Sequence, residues 1–188
     1  ILSVLTKKLY EFDTKIMVLS KNPIKTQRVH SVHSKAYFCP CLFLKEILTC
    51  NILISGGGSL LQDVTSFYSL LYYLFIINIA LFFRKKVIIF AQGLGPINNK
   101  FGAKLTKWTL KKCSLVMVRD KKSKRILNKW GIKSDLVCDP LFDLDLPEYT
   151  PENKVGIQLR SFKTLNDEFL IKLAEQINKE FSDKKIEI

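Results

Sequence analysis

The chain has 188 residues, 47% of them hydrophobic and 25% charged, a globular balance that excludes a disordered or low-complexity polymer. Lys and Arg number 30 against 17 Asp and Glu, a net charge of +13, which favours anionic partners: nucleic acid, an acidic lipid surface or phosphorylated substrates. The basic residues are scattered and no aromatic-interleaved RNA motif is present, so no nucleic-acid partner is expected, and a solvated basic surface accounts for the charge equally well.

Residues 1–12 have the spacing of an amphipathic helix, and 15–20 (KIMVLS) that of a strand, broken by Asn22-Pro23. Residues 24–37 are polar and read as a loop holding Thr26, Arg28, His30 and His33. The five cysteines, Cys39, Cys41, Cys50, Cys113 and Cys138, are odd in number and irregularly spaced, unlike a secreted disulfide framework. Reduced thiols in the cytoplasm are the default. Cys39-Pro40-Cys41 beside two histidines invites a zinc site, but the context is irregular and no metal site is expected. No signal peptide is visible; the sequence opens in mid-pattern at Ile1, which leaves that silence uninformative.

A short helix over 43–49 leads to the stretch NILISGGGSLLQD, residues 51–63. Residues 51–54 read as a buried strand. Gly56, Gly57 and Gly58 form a turn that residues without a Cβ make cheaply. From Ser59 a long helical pattern is expected to open, placing free N–H groups and a positive helix end where an anion can bind. Asp63 then falls in the first turn of that helix. The alternative is a tight turn without a ligand, and the glycines match neither standard nucleotide fingerprint.

Residues 67–83 carry no charge and are followed by Arg84-Lys85-Lys86, which raises a membrane span with a positive flank. The run is short of the roughly 20 residues a span needs. A helix lying on a parallel sheet, apolar nearly all round because neighbours bury it, explains it better. Shallow membrane contact stays open. The next strand, 87–92 (VIIFAQ), ends in Gln92 and then Gly93, Gly95 and Pro96. Strand, helix, strand makes a βαβ unit whose parallel strands bring both glycine turns to one sheet edge. Ligands of open α/β sheets bind outside that edge.

Further on come a helix over 104–113, a strand over 114–118 ending in Arg119-Asp120, a helix over 123–130 stopped by Gly131, and a strand over 135–138 leading to Asp139-Pro140. Residues 147–153 (PEYTPEN) read as a linker; 154–159 are a new strand ending in Arg160, and 169–181 its helix. The alternation predicts an α/β fold with a doubly wound, Rossmann-like parallel sheet over residues 1–146, and the opening of a second such domain over 154–188. Further strand pattern begins at the end of the chain.

SGGGSLLQD, the Tyr72-Tyr73 pair, AQGLGPI and the VRD-KKS pattern together resemble the polysaccharide pyruvyl transferase family, above all its bacterial branch that places pyruvate ketals on cell-wall polymers. The resemblance runs from the first residues to about Arg160 and implies a two-domain arrangement of the glycosyltransferase-B type. Relatives begin with a strand and a GDEAIL-like stretch, of which Ile1-Leu2 would be the tail, and an important Arg and His of their second domain lie beyond Ile188. The expectation is therefore a piece of a longer enzyme, inactive by itself.

The implied reaction moves pyruvyl from phosphoenolpyruvate to a sugar of a surface-polysaccharide precursor, with no cofactor. Such chemistry needs N–H or cationic groups for the phosphate and carboxylate, and an acid for the enol carbon. Candidates to bind substrate are Gly56, Gly57, Gly58, Ser59, Gln92, Gly93, Gly95, Arg119 and Arg160; Asp139 is the candidate acid. Arg160 ends its strand at the expected ligand edge, across a cleft from the glycine turns. Arg119-Asp120 serves equally as a structural salt bridge to a neighbouring helix. A lipid-linked acceptor would bring a basic cytoplasmic protein to the inner membrane face. The rival readings are a nucleotide-sugar glycosyltransferase of similar fold and a non-catalytic basic module that binds a membrane surface or nucleic acid.

Overall fold

The structure is a computed structural model, and it describes residues 1–36, 40–144, 148, 150, 154–157, 166–181 and 185–187. The chain divides into two compact units, residues 1–144 and 145–188. Both are α/β with parallel strands throughout, a Rossmann-like organisation.

In the first unit, α1 (Leu2–Tyr10) precedes β1 (Met17–Ser20), which pairs in parallel with β2 (His33–Ala36) through α2 (Pro23–His30). Helix α2 corrects the polar loop expected over 24–37. Its start signals are plain in retrospect: Asn22 accepts from the Lys25 N–H and Pro23 supplies the pre-set first position. Strand β2 lacks apolar alternation because Ser34 faces inward and donates to the Val18 carbonyl at 2.9 Å.

Helix α3 (Pro40–Thr49) leads to β3 (Ile52–Gly56), α4 (Phe67–Phe82), β4 (Lys86–Gln92), α5 (Lys100–Leu110), β5 (Leu115–Val118), α6 (Lys121–Lys129) and β6 (Asp135–Leu136). Strands β3, β4, β5 and β6 lie in that order in one parallel sheet. A 3₁₀ turn, Pro140–Asp143, follows β6. In the second unit β7 (Lys154–Gly156) pairs in parallel with β8 (Lys185–Glu187) through α7 (Asp167–Glu180).

The helix expected to open at Ser59 begins at Phe67 instead, with Ser66 as its N-cap. Residues 59–66 form a loop because Leu61 is buried against the neighbouring loop, bridging Leu94 in parallel, rather than on a helix face. The positive helix end is thus absent from the glycine turn.

Helix α4 packs on β3 and β4 through Leu70, Leu74, Ile77 and Ala80, all buried with Val87 and Ile89 of β4. Full burial of each leucine, isoleucine or valine among them stabilises by about 1.5–3 kcal/mol. Gly102 lets α5 approach closely: a Cβ there would stand 3.1 Å from both Leu70 Cδ2 and Phe67 Cε2. The one amide of α4, Asn78, donates to the Leu74 carbonyl and to Thr109 Oγ1 of α5, each at 2.8 Å, so its polarity is satisfied inside the helix pair. The opposite face of α4 is not covered: Tyr68, Phe75 and Phe82 are exposed, which corrects burial nearly all round. Among the described residues, no helix is long and apolar enough to cross a membrane.

Candidate functional site

The two glycine turns stand side by side at the carboxyl edge of the four-stranded sheet. Gly57 N–H donates to the Phe90 carbonyl, Gly93 N–H to Gly58, and Gly95 N–H to Leu61, each at 2.9 Å. The parallel ladder of β3 and β4 therefore continues into the loops. Gly57 (φ 73°) and Gly58 (φ 68°) occupy the left-handed region that disfavours a side chain, and no atom lies within 4 Å of where a Cβ of Gly58 would be. Asp63 fastens the loops together. Its carboxylate accepts the backbone N–H groups of Asn98 (2.8 Å) and Asn99 (2.7 Å), and these bonds hold its pKa below the usual range. Asn99 in turn caps α5.

Gln92 is brought to this edge by a bulge. The register of β4 on β5 shifts between Ile89 and Gln92, and Ala91 takes a left-handed φ of 47° while fully buried, a strained conformation for a non-glycine residue. The Gln92 side chain is 1% exposed. Its Nε2 donates to Ser55 Oγ at 2.9 Å, while its Oε1 has no hydrogen-bond partner among the described residues.

Three elements then converge. Arg119 follows β5; its Nη1 donates to Asp139 Oδ2 at 2.5 Å and its Nη2 to Ser59 Oγ at 3.2 Å. Gly93 is buried beneath this contact: a Cβ added there would stand 2.7 Å from Ser59 Oγ, 3.6 Å from Asp120 Oδ2 and 3.7 Å from Arg119 Nε. Ser59, Gly93, Arg119 and Asp139 thus form one cluster. The expected salt bridge of Arg119-Asp120 to a neighbouring helix resolves differently. Arg119 pairs with Asp139, and Asp120 caps its own helix α6 through Ser123 N–H at 2.7 Å. Ser123 Oγ donates to Asp120 at 2.7 Å and accepts the Leu94 N–H at 2.7 Å, tying α6 to the second glycine loop.

The carboxyls here are ionised. The Leu141 N–H, then the hydrogen bond and charge of Arg119, outweigh slight burial and lower the pKa of Asp139. Burial pushes Asp120 up, but its bonds to Ser123 and Lys122 and the Arg119 charge prevail and lower it. A carboxyl held ionised in this way is a poor proton donor at neutral pH. It is well suited to fixing a guanidinium, whose remaining N–H groups then point in a set direction.

Beside Asp139 lies a pocket of about 310 Å³, whose lining includes Val4, Leu5 and Lys8 of α1, Phe90 of β4, and Pro140 and Phe142 of the 3₁₀ turn. Sequence reasoning passed over Lys8, Ser55 and Ser123. Ser123 carried a readable sign, three residues after Asp120 in the spacing of a helix N-cap; Lys8 and Ser55 carried none. Arg160 lies outside the described residues, as do Cys39 and the Cys41 side chain. His30 ends α2 and His33 opens β2. Burial pushes the Cys113 thiol up to about 12, which leaves it unreactive.

A guanidinium steadied by a carboxylate, next to a hydroxyl and a glycine-lined opening, can receive a planar or tetrahedral oxyanion. A family model described as polysaccharide pyruvyl transferase matches residues 6–187. No curated protein and no solved structure matches the chain.

Proposed function

Since the chain belongs to the polysaccharide pyruvyl transferase family, we propose that it serves the transfer of pyruvyl from phosphoenolpyruvate to a sugar of a cell-wall or surface-polysaccharide precursor. In this reading the enol methylene takes up a proton and becomes the methyl group. Two sugar hydroxyls add to the adjacent carbon, each losing its proton, and the phosphate leaves as that carbon–oxygen bond breaks. Phosphoenolpyruvate is a co-substrate and no cofactor enters the balance.

The observation that carries the reading is the Arg119 guanidinium, anchored by Asp139 and aimed at Ser59 over Gly93. We assign Arg119, Ser59 and the turns at Gly56, Gly57, Gly58, Gly93 and Gly95 to the donor's anionic groups. Gln92 is assigned to a hydroxyl or to bracing the loop. Asp139, expected as an acid, is reassigned to orienting Arg119, because its charge is stabilised there. Arg160 remains a second candidate for the donor, on its chemistry alone. A lipid-linked acceptor at the inner membrane face fits the basic surface.

The test is ligand-induced thermal stabilisation. Phosphoenolpyruvate at about 100 times its Kd should stabilise the protein by about 2.7 kcal/mol, and Arg119→Ala should abolish the shift. Stabilisation by nucleotide sugars and not by phosphoenolpyruvate would assign the site to a glycosyltransferase instead.

A further inference from the structure

We infer that the face formed by α4 and α5 is a docking surface for an anionic lipid bilayer, which it meets lying flat without crossing. Two observations made on different grounds carry this. The first is apolar. A groove of about 630 Å³ runs between the two helices, lined by residues that include Tyr68, Phe75, Phe101 and Trp108. These aromatic side chains are exposed, from 51% at Trp108 to 82% at Tyr68, and Phe82 at the end of α4 is 81% exposed. Tyr68, Phe75 and Phe82 are spaced seven apart, so they form one stripe along the helix. An apolar stripe of this kind on a surface helix marks an interaction site, and Trp and Tyr are favoured where hydrocarbon meets water.

The second observation is the charge around the groove. Between residues 84 and 112 the chain has eight Lys or Arg and no Asp or Glu. Lys104 lies one turn before Trp108 on α5, hence on its side of the helix, and Lys111 and Lys112 follow directly on the last residue of α5, Leu110. Lys112 stands over the Trp108 ring, 3.3 Å from its centroid, so the cation and the aromatic body present themselves together. Arg84, Lys85 and Lys86 follow directly on Phe82 and Phe83. Exposed aromatic side chains on one face of a helix pair, with lysines beside them, form the pattern of an interfacial membrane-binding element.

The charge also selects among occupants. A second copy of this chain would set the same lysines against one another, and an acidic protein partner would have no use for the long apolar stripe. Negatively charged lipid headgroups meet the lysines while the acyl boundary receives the rings.

The proposal does not depend on the catalytic reading, and its test uses neither donor nor acceptor. The protein is sedimented with vesicles of 30% phosphatidylglycerol in phosphatidylcholine, and with pure phosphatidylcholine vesicles, while Trp108 emission is followed with brominated lipid as quencher, the signal of Trp130 being subtracted with a Trp108→Phe variant. Binding to the anionic vesicles only, quenching of Trp108, and loss of binding as salt is raised are expected. Lys104→Gln with Lys111→Gln should weaken binding by about 25-fold, at about fivefold per lysine. Tyr68→Ser with Phe82→Ser, both at exposed positions, should abolish quenching while the thermal melting point is kept. Lys25→Gln with Arg28→Gln, on α2, should change binding less than twofold.

No binding to anionic vesicles overturns the proposal. Equal weakening by the α2 pair overturns it too, by showing that net charge alone is responsible. So does concentration-dependent dimerisation that is lost in the Tyr68 and Phe82 variant without any vesicle binding.

Discussion

Gly93 leaves the room that Ser59 fills: a Cβ at Gly93 would lie 2.7 Å from Ser59 Oγ. The clashing atom is the end of a small side chain, and Gly93 has no positive φ, so Gly93→Ala is accommodated by turning the hydroxyl aside. The cost falls on the Arg119–Ser59 hydrogen bond. Gly93→Ala should keep the melting temperature within a few degrees, while donor affinity falls by about tenfold, the cost of one hydrogen bond to a charged group. A mutant that fails to fold, or one with unaltered donor binding, would show that the contact does not shape the site.

Arg119→Lys keeps a positive charge but loses the fork that spans Asp139 and Ser59. Loss of a charge-assisted hydrogen bond costs about 1.5–3 kcal/mol, roughly tenfold to a hundredfold in donor kcat/KM. Asp139→Asn should lower the same parameter in the same direction, because it leaves the guanidinium unanchored. Steady-state kinetics with phosphoenolpyruvate and acceptor varied separately check both, and an effect confined to acceptor KM would move Arg119 out of the donor site.

Gln92→Leu separates stability from function. The variant removes a buried oxygen that has no hydrogen-bond partner among the described residues, and gives up one bond to Ser55, which is only half-buried. Loss of an unsatisfied group is worth about 1–3 kcal/mol, so urea unfolding should show equal or greater stability. Activity should nonetheless fall if the amide serves a sugar hydroxyl. A stable and fully active Gln92→Leu would reduce Gln92 to a brace of the loop.

Acid should weaken the site edge before neutral or alkaline pH does. Asp63, Asp120 and Asp139 all have folded-state pKa values below the ordinary 3.8. A carboxyl lowered on folding contributes stability above its unfolded pKa and loses it as pH falls through the folded value. Melting temperature should therefore be level above about pH 5 and drop below about pH 4. In Asp63→Asn, which weakens the grip on the Asn98 and Asn99 amides, the drop should be shallower.

The strands β3, β4 and β5 were legible because each is a short apolar run closed by glycine or a charged pair. The pairing of the two glycine turns followed from parallel connection alone. What escaped the sequence had a physical reason in each case. Leu60-Leu61 after the glycines looks like the start of a helix, since periodicity does not distinguish a helix face from one leucine bridging to a neighbouring loop. Ser34 is buried by a hydrogen bond rather than by hydrophobicity, so β2 left no alternation. The cluster of Ser59, Arg119 and Asp139 joins residues 60 and 20 positions apart, and no local pattern encodes that meeting. The exposure of Tyr68, Phe75 and Phe82 was hidden because an apolar helix reads the same whether a neighbour covers it or not.

The order of the strands bears on how the molecule comes into being. Among the described residues, every strand after the first of its sheet pairs with its immediate predecessor in the chain. During synthesis at about 5–20 residues per second, the template for a new strand is therefore already finished when that strand emerges. Among the described residues, only the first strand of each sheet, β1, β3 and β7, emerges before its partner. The sheet bearing the site grows outward from β3, and Arg119 and Asp139, which arrive last, close over a glycine platform laid down before them.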